Sequence, residues 1–237
     1  MFLPLSVYQE KSRDKEIAGK VNWTFGGEFK LYGYDSPISQ HRISIIHLNK
    51  NKFRGLNESH SSFSTKVPIK RSLGRIVDGN TIKIDTKPKK SKLRISTDNF
   101  IYNIAKQNIT QRMEIERTYL PMKQIKAEAT TSSDKLKKLV EHAPCGPLQL
   151  KIGDDNLKLF AEGHEEKISY DIPNSNVITC STERVFNYTY DLGMFSRSIK
   201  RFPRNTKVII ILNDDLIKLQ YEIGNDIGCV NYYQRCR

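Results

Sequence analysis

The sequence lacks long hydrophobic runs and is short of acidic residues. Of its 237 residues, 39 are lysine or arginine and 26 are aspartate or glutamate, so the formal net charge is +13. No apolar run is long enough to span a bilayer, and the N-terminal MFLPLSVYQEKSRDKE becomes charged before a signal-peptide core can form. These absences favour a soluble, intracellular protein with no membrane partner, and the charge excess favours a polyanionic partner.

Cysteine is scarce, and motifs of catalysis are missing. The four cysteines form no C-x-x-C pair and have no histidine at metal-ligand spacing, which favours reduced thiols over disulfides or a metal site. The sequence also lacks G-x-x-x-x-G-K-[ST], G-x-S-x-G and H-E-x-x-H. The carboxylate pairs Asp154-Asp155 and Asp214-Asp215 lie where tight turns are expected. The sequence therefore predicts a protein that is not an enzyme, with no catalytic residues, metal or cofactor.

Antiparallel strands dominate the periodicity, and they recur twice in the same order. Alternating apolar residues flank Gly26-Gly27, and 148-LQLKIGDDNLKLFAEG-163 repeats this hairpin pattern at an offset of 128 residues. A basic segment at 69–79 leads into strands at 80–84 and 92–96. A second basic segment, at 192–204, leads into strands at 205–211 and 216–223, and its offset is 125 residues. The nearly equal offsets predict a duplicated unit of antiparallel sheet with short helices, an α+β class.

Helices are predicted at 69–79, 132–144 and 192–204. The second begins at an N-cap serine and ends at Pro144, and the third has an apolar stripe formed by Leu192, Phe195 and Ile199. No clear strand or helix precedes Val21, so the first unit is predicted to be clipped at its start. Polar residues 107–121 predict a linker between an N-terminal domain, 1–106, and a C-terminal domain, 122–237.

The three predicted helices carry ten basic residues and few acids. This pattern has two interpretations: a solvated helix face, or contact with the phosphates of a nucleic acid. Recurrence at repeat-related places favours phosphates, and the absence of any base-reading motif favours non-specific binding of double-stranded DNA. A further basic run, 87-KPKKSK-92, is either a nuclear import signal or a charged hairpin tip. The predicted DNA-binding residues are Lys70, Arg71, Arg75, Lys135, Lys137, Lys138, Arg197, Lys200, Arg201 and Arg204.

Assembled in this order, the segments resemble the proliferating cell nuclear antigen (PCNA) family of DNA polymerase sliding clamps. The resemblance is carried by 216-LIKLQYEIGNDIGCVNYY-233, with its Tyr-x-Ile and closing Tyr-Tyr, by 186-FNYTYDLGMFSRSIKRFPRNTKV-208 and by 42-RISIIHL-48. It runs from about Val21 to Tyr233. The resemblance implies a DNA-clamp fold, with two repeated domains of antiparallel sheet and short basic helices lining an inner face.

The resemblance implies a function as well as a fold. It implies a processivity factor of DNA replication and repair, a homotrimeric ring that encircles double-stranded DNA, with Lys138 and Lys200 at basic positions of the family's hole-lining helices. The implied partners are a DNA polymerase, a clamp loader and peptide-motif replication and repair proteins. The implied location is the nucleus, or the site of viral DNA replication if the clamp is viral.

Two further sets of residues are implied by position in the family. The partner-peptide pocket would lie under the interdomain linker, with ordinary strand core as the alternative explanation for Ile43 and Ile45. Ring closure would pair edge strands at about residues 100–105 and 166–172. The pocket residues carried over are Ile38, Ile43, Ile45, Leu120 and Leu216.

The sequence departs from the family in three respects. The family's first strand and helix are missing or degenerate before Val21, the chain stops shortly after Tyr232-Tyr233, and it is basic throughout, whereas familiar cellular members are acidic overall. Such divergence would suit a viral or specialised clamp. Two other functions stay open: a checkpoint-clamp subunit, and a clamp-fold transcription or packaging factor that binds DNA without a ring. The net charge favours the ringless factor over the checkpoint subunit, because a monomer needs direct electrostatic attraction to DNA.

Overall fold

Strands make up most of the structure. The computed structural model describes residues 2–4, 20–25, 29–34, 42–48, 63–68, 81–85, 92–96, 101–105, 122, 125–152, 156–173, 177–179, 186–213, 215–223 and 228–236. None of the described helices is long and apolar enough to cross a membrane. The strands are β1 (Phe2–Pro4), β2 (Lys20–Phe25), β3 (Phe29–Tyr34), β4 (Arg42–Leu48), β5 (Phe63–Pro68), β6 (Thr81–Asp85), β7 (Lys92–Ser96), β8 (Ile101–Ala105), β9 (Ala127–Ser132), β10 (Pro147–Ile152), β11 (Asn156–Glu162), β12 (Lys167–Pro173), β13 (Val177–Thr179), β14 (Phe186–Asp191), β15 (Lys207–Leu212), β16 (Leu216–Ile223) and β17 (Gly228–Arg235), and the described helices are α1 (Ser133–His142) and α2 (Leu192–Ile199).

The chain divides into two compact units with the same strand order. One unit comprises Met1–Met113 with Glu222–Val230, and the other comprises Glu114–Tyr221 with Asn231–Arg237. The first contains the orders β1-β6-β7-β8 and β4-β3-β2-β5. The second contains β9-β15-β16-β17, of which it holds the larger part of β16 and β17, extended beyond β9 by β13, and β12-β11-β10-β14. The orders correspond strand for strand, with antiparallel pairing, so the predicted repeat and the α+β class are confirmed.

The first unit begins with a short strand. The first strand was expected to be missing or degenerate before Val21, and β1, three residues long, pairs antiparallel with β6 from Phe2 to Pro4, as β9 pairs with β15 in the second unit. Three residues are too few to show an alternating pattern, and a proline such as Pro4 argues against a strand when only the sequence is known. A first strand is therefore present, although it is shorter than β9 of the second unit. The residues between β1 and β2, where the first helix of the unit was sought, lie outside the described residues.

Alternation of side chains builds the core of the second unit. Strand β15 is rich in valine and isoleucine, whose branched side chains favour extended backbone, and every second residue of the strand is buried. Tyr188 and Tyr190 also point into the core from β14, with ring centroids 6.5 Å apart. Burial raises the pKa of the Tyr190 phenol far above its usual range, with smaller contributions from Cys236 and Tyr188, so this residue stays neutral.

Both helices begin at side-chain caps. The hydroxyl of Ser132 accepts a hydrogen bond from the Lys135 amide at 3.3 Å, and the carboxylate of Asp191 accepts one from the Met194 amide at 2.8 Å. Each cap satisfies a backbone donor that has no partner inside the helix. Helix α1 agrees with the predicted segment, and its cap was predicted correctly.

Helix α2 is shorter than predicted. It ends at Ile199 rather than continuing to residue 204, and the chain leaves it through tighter turns in which the Arg201 amide bonds to the Ser198 carbonyl. Pro203 explains the early end, since proline disfavours helical backbone at the preceding residue and lacks an amide donor itself. The predicted helix at 69–79 and the linker at 107–121 lie outside the described residues.

The turn after α1 packs closely on the turn between β11 and β12. Gly146 has a φ of 157°, and a Cβ atom there would lie 2.8 Å from the carbonyl oxygen of Glu162. A Cβ atom at Gly163 would lie 2.9 Å from Cβ of Pro144. Both glycines leave space for a close neighbour: the backbone of Glu162 lies against Gly146, and the ring of Pro144 lies against Gly163.

We expect Gly146→Ala to destabilise the protein by about 1–3 kcal/mol, because alanine would meet both an unfavourable φ and a backbone oxygen that cannot rotate away. Chemical denaturation of the two proteins measures the difference. Glu165→Ala, at an exposed position of the neighbouring turn, is the control and should leave stability nearly unchanged. Equal stability of Gly146→Ala and wild type would contradict the close approach of the two turns.

Candidate nucleic-acid interface

Helices α1 and α2 each have one buried face. Leu136, Leu139 and Val140 of α1 are buried, as are Phe195 and Ile199 of α2. The helices contact each other; α1 also packs on β9 and β12, and α2 on β10 and β14. Leu192, predicted to be buried, is only half-buried at the start of α2. This packing determines which side of each helix is available to a ligand.

The opposite faces of the helices carry exposed cations. Five of the predicted DNA-binding residues are exposed and are here called the cationic surface. Among the residues that the structure describes, none of these five takes part in an ion pair. The ion pairs found join strand residues instead, Lys158 to Asp171 at 3.7 Å and Lys167 to Glu162 at 3.2 Å. The surface thus keeps its positive charge for a partner. Its members are Lys135, Lys138, Arg197, Lys200 and Arg204.

Two predicted cations lie differently from the others. Lys137 is half-buried on the side of α1. Arg201 is also half-buried, and one nitrogen of its guanidinium group has no solvent exposure. The predicted file of four cations along one helix is therefore interrupted: Arg197 lies within α2, Lys200 caps it, and Arg204 lies in the turn beyond. The early end of α2 explains this difference, because residues beyond Ile199 no longer follow helical spacing.

An aromatic cluster anchors the chain just after α2. Phe202 is 2% exposed, and its ring centroid lies 4.8 Å from that of Tyr221 in β16 and 5.2 Å from that of Tyr232 in β17. The rings are tilted relative to one another, which suits the quadrupoles of aromatic rings. Phe202 therefore ties the exposed segment carrying Lys200 and Arg204 to the sheet behind it.

An open depression lies beside the start of α1. Its volume is about 480 Å³, and its walls include Lys135, Lys207, Tyr170 and Asn205. The Tyr170 hydroxyl lies 2.7 Å from that of Thr131, and the ammonium of Lys135 lies 5.8 Å from the centroid of the tyrosine ring. The N-terminal end of α1 and the segment that follows α2 both line the depression. Tyr170 and Lys207 are not among the residues predicted from the sequence: Tyr170 is half-buried on the same face of β12 as Ile172, and Lys207 is exposed at the start of β15.

The remaining predicted sites are only partly covered. Lys70, Arg71 and Arg75 lie outside the described residues, as do Ile38 and Leu120 of the predicted partner pocket. Ile43 and Ile45 lie in β4, and Leu216 is buried, 5% exposed, at the start of β16. No group of three or more metal-ligating side chains occurs among the described residues.

The predicted ring-closing segments are edge strands in the described part of the chain. β8 ends the order β1-β6-β7-β8, and β12 ends the order β12-β11-β10-β14. Ile101, in β8, is 56% exposed and places a large apolar side chain at this edge. Both strands thus present backbone groups on one side that no described strand pairs.

We expect Phe202→Ala to cost about 3–5 kcal/mol of stability, because the substitution empties the middle of the aromatic cluster. Thermal or chemical denaturation measures the effect. Phe160→Ala is the matched control: Phe160 is half-buried in β11 on the face opposite Leu157 and Leu159, so its removal should cost clearly less. Equal destabilisation by the two substitutions would show that Phe202 is not an anchor.

The fold of this chain also occurs in proteins of known structure, although no protein-family model and no curated protein matches the sequence. Solved structures that are similar over 100% of this chain include three PCNA proteins. An A. fulgidus PCNA bound to the C-terminal region of FEN-1 has a TM-score of 0.80, 12% identity and 97% of its own chain covered. PCNA from Thermococcus kodakaraensis has a TM-score of 0.80, 13% identity and 99% of its own chain covered. PCNA from Entamoeba histolytica has a TM-score of 0.79, 12% identity and 97% of its own chain covered. Over its whole length, therefore, the chain has the fold of the PCNA-type DNA sliding clamps.

Proposed function

We propose that the chain is a subunit of a sliding clamp that encircles double-stranded DNA and tethers replication and repair proteins to it. The observation that carries the proposal is the cationic surface, whose exposed members lie on α1, on α2 and in the turn after α2 of a chain with a clamp fold. Non-enzymatic action follows from this role, because a clamp works by linkage to DNA and not by bond chemistry.

The physical chemistry of the cationic surface suits duplex DNA without regard to sequence. Lysine and arginine neutralise phosphates and release counterions, and this gain does not depend on which bases lie beneath. Exposed cations on two short helices, free of ion pairs with described residues, suit such contacts. Weak and uniform phosphate contacts also suit sliding, since no position along the duplex is preferred over its neighbours.

Ring closure is the second part of the proposal. We infer that β8 of one subunit pairs with β12 of the next, so that the unpaired backbone groups of both edges are satisfied and Ile101 is buried. Three subunits are the assembly that the resemblance implies. Such pairing removes the exposed edges that otherwise favour aggregation.

Partner binding completes the proposal. One similar PCNA structure is of a complex with the C-terminal region of FEN-1, which supports short-peptide recognition as a property to test in this chain. We propose that the partners are a DNA polymerase, a clamp loader and peptide-motif proteins. The proposed place of action is the nucleus, or the site of viral DNA replication for a viral clamp.

One observation favours a second candidate function. The net charge of +13 would give a monomer direct electrostatic affinity for DNA, without any need for a ring. The alternative is a clamp-fold DNA-binding factor that acts in transcription or packaging. The two functions differ in whether the topology of the DNA affects retention.

Alanine at Lys138, Lys200 or Arg204 should weaken DNA binding uniformly across sequences. Each substitution should lower the salt dependence, the slope of log Kobs against log salt concentration, by about 0.9 for each phosphate that the variant no longer neutralises. Fluorescence anisotropy with a short duplex over a salt series measures the slope. Lys151→Ala is the matched control, because Lys151 is exposed in β10 on the face opposite its buried residues. An equal decrease in slope for Lys151→Ala would place DNA binding elsewhere.

A closed ring should stay on circular DNA at a salt concentration that releases it from linear DNA, and should leave when the circle is cut. Gel filtration of protein incubated with plasmid measures retention, and light scattering measures the oligomeric mass. Ile101→Asp should lower the mass and abolish the preference for circles, because it places a charge in the proposed interface. Ile125→Asp, at the other exposed large apolar residue described, should change neither.

The outcome separates the two candidate functions. A monomer with the same salt sensitivity on linear and circular DNA would overturn the ring and favour the ringless factor. A stable oligomer of this chain alone would count against a checkpoint subunit that needs different partner chains.

A further inference from the structure

The start of α1 is hydrogen-bonded to the turn that follows α2. Ser133 is completely buried, and its hydroxyl donates to the Pro203 carbonyl at 2.7 Å while accepting from the Thr206 amide at 3.1 Å. Its own amide donates to the Thr206 carbonyl at 2.8 Å. Three hydrogen bonds from a single residue thus connect segments about 70 residues apart in sequence.

The neighbouring residue adds a fourth connection. The Asp134 carboxylate accepts a hydrogen bond from the Asn205 amide at 2.8 Å. Asn205 has a φ of 52°, the left-handed conformation, which asparagine tolerates better than most residues. The carboxylate therefore holds a backbone amide at the point where the turn reverses. Ser133, Asp134 and residues 203–206 are here called the latch.

The latch surrounds an exposed cation. Arg204 lies between Pro203, whose carbonyl accepts a hydrogen bond from Ser133, and Asn205, whose amide donates one to Asp134. The carbonyl of Arg204 accepts a hydrogen bond from the Thr206 hydroxyl at 3.2 Å. Because α2 has ended at Ile199, no helical hydrogen bonds hold this residue in place. The position of Arg204 on the cationic surface is thus determined by contacts from α1.

We propose that Ser133 and Asp134 are positioning residues for DNA binding, which hold residues 203–206 so that Arg204 meets a phosphate. The proposal rests on the proposed function, because it assigns the latch to the same surface. Neither residue touches the DNA in this role. A pre-formed turn binds phosphate without first losing backbone freedom, and that entropy cost is otherwise subtracted from the binding free energy.

The charge of Asp134 makes the proposal testable. A carboxylate beside the cationic surface repels phosphate, so as a charge alone it should weaken DNA binding. As part of the latch it should strengthen binding. Asparagine and alanine both remove the charge, but only asparagine keeps a side-chain oxygen that can accept the Asn205 amide. Comparison of the two variants therefore isolates the hydrogen bond from the charge.

The first experiment measures the salt slope of duplex binding for Asp134→Asn and Asp134→Ala in the full chain. We expect the slope for Asp134→Ala to be lower than that for Asp134→Asn by about 0.9, the value for one neutralised phosphate. Partial unfolding would reduce the amount of active protein without changing this slope, so a purely structural role would not produce the difference. Equal slopes for the two variants would overturn the proposal.

The second experiment combines Ser133→Ala with the removal of individual cations. Ser133→Ala should lower the slope by about 0.9 in the wild type and in Arg197→Ala, whose cation lies within α2. It should have no further effect in Arg204→Ala, because the residue that it positions is already gone. An equal effect in both backgrounds would overturn the assignment of the latch to Arg204.

The two experiments separate this proposal from the proposed function. If wild type shows no salt-dependent DNA binding, the proposed function fails and the latch fails with it. Suppose instead that wild type binds DNA and that Lys138→Ala lowers the salt slope. If Arg204→Ala then has the same slope as wild type, or if the two Asp134 variants have equal slopes, only the latch is overturned. The function then stands without it.

Discussion

Burial of the apolar faces of α1 and α2 is the constraint on which the candidate interface depends. Helices of ten and eight residues are too short to be stable alone, so their stability comes from packing. Leu136 and Leu139 fix the rotation of α1, and Phe195 and Ile199 fix that of α2. Once those side chains are buried, Lys135, Lys138 and Arg197 lie on the exposed sides of the helices, because burying an unpaired charge is costly.

The end of α2 shows how a local break extends this surface. Pro203 stops the helix, and the chain then depends on the aromatic contacts of Phe202 and on the hydrogen bonds from Ser133 and Asp134. These contacts hold the exposed Arg204 in a turn that is bonded to the start of α1. Burial therefore orients the cations of the helices, and hydrogen bonds hold the turn that carries Arg204.

Much of the architecture could be predicted from the sequence because its signals are local. Alternation in 148–163 predicted the hairpin of β10 and β11, and Ser132 with Pro144 predicted both ends of α1. Strand β1 was missed because three residues carry no measurable alternation. The end of α2 was misplaced because a cationic periodicity that continues past Pro203 resembles helix, although proline prevents it. Tyr170 and Lys207 were missed because each lies within a strand, outside the basic helices in which binding residues were sought.

The sequence by itself determined the repeat, the class of each strong element and which residue types carry the positive charge. Those properties depend on neighbours within one turn or one strand, where side-chain spacing is set by backbone geometry. Only the tertiary structure decided that Arg201 is half-buried while Arg204 is exposed, and that a serine and an aspartate from α1 hold the turn after α2. Such contacts join residues about 70 positions apart, and their formation depends on how two helices pack, which no local pattern records.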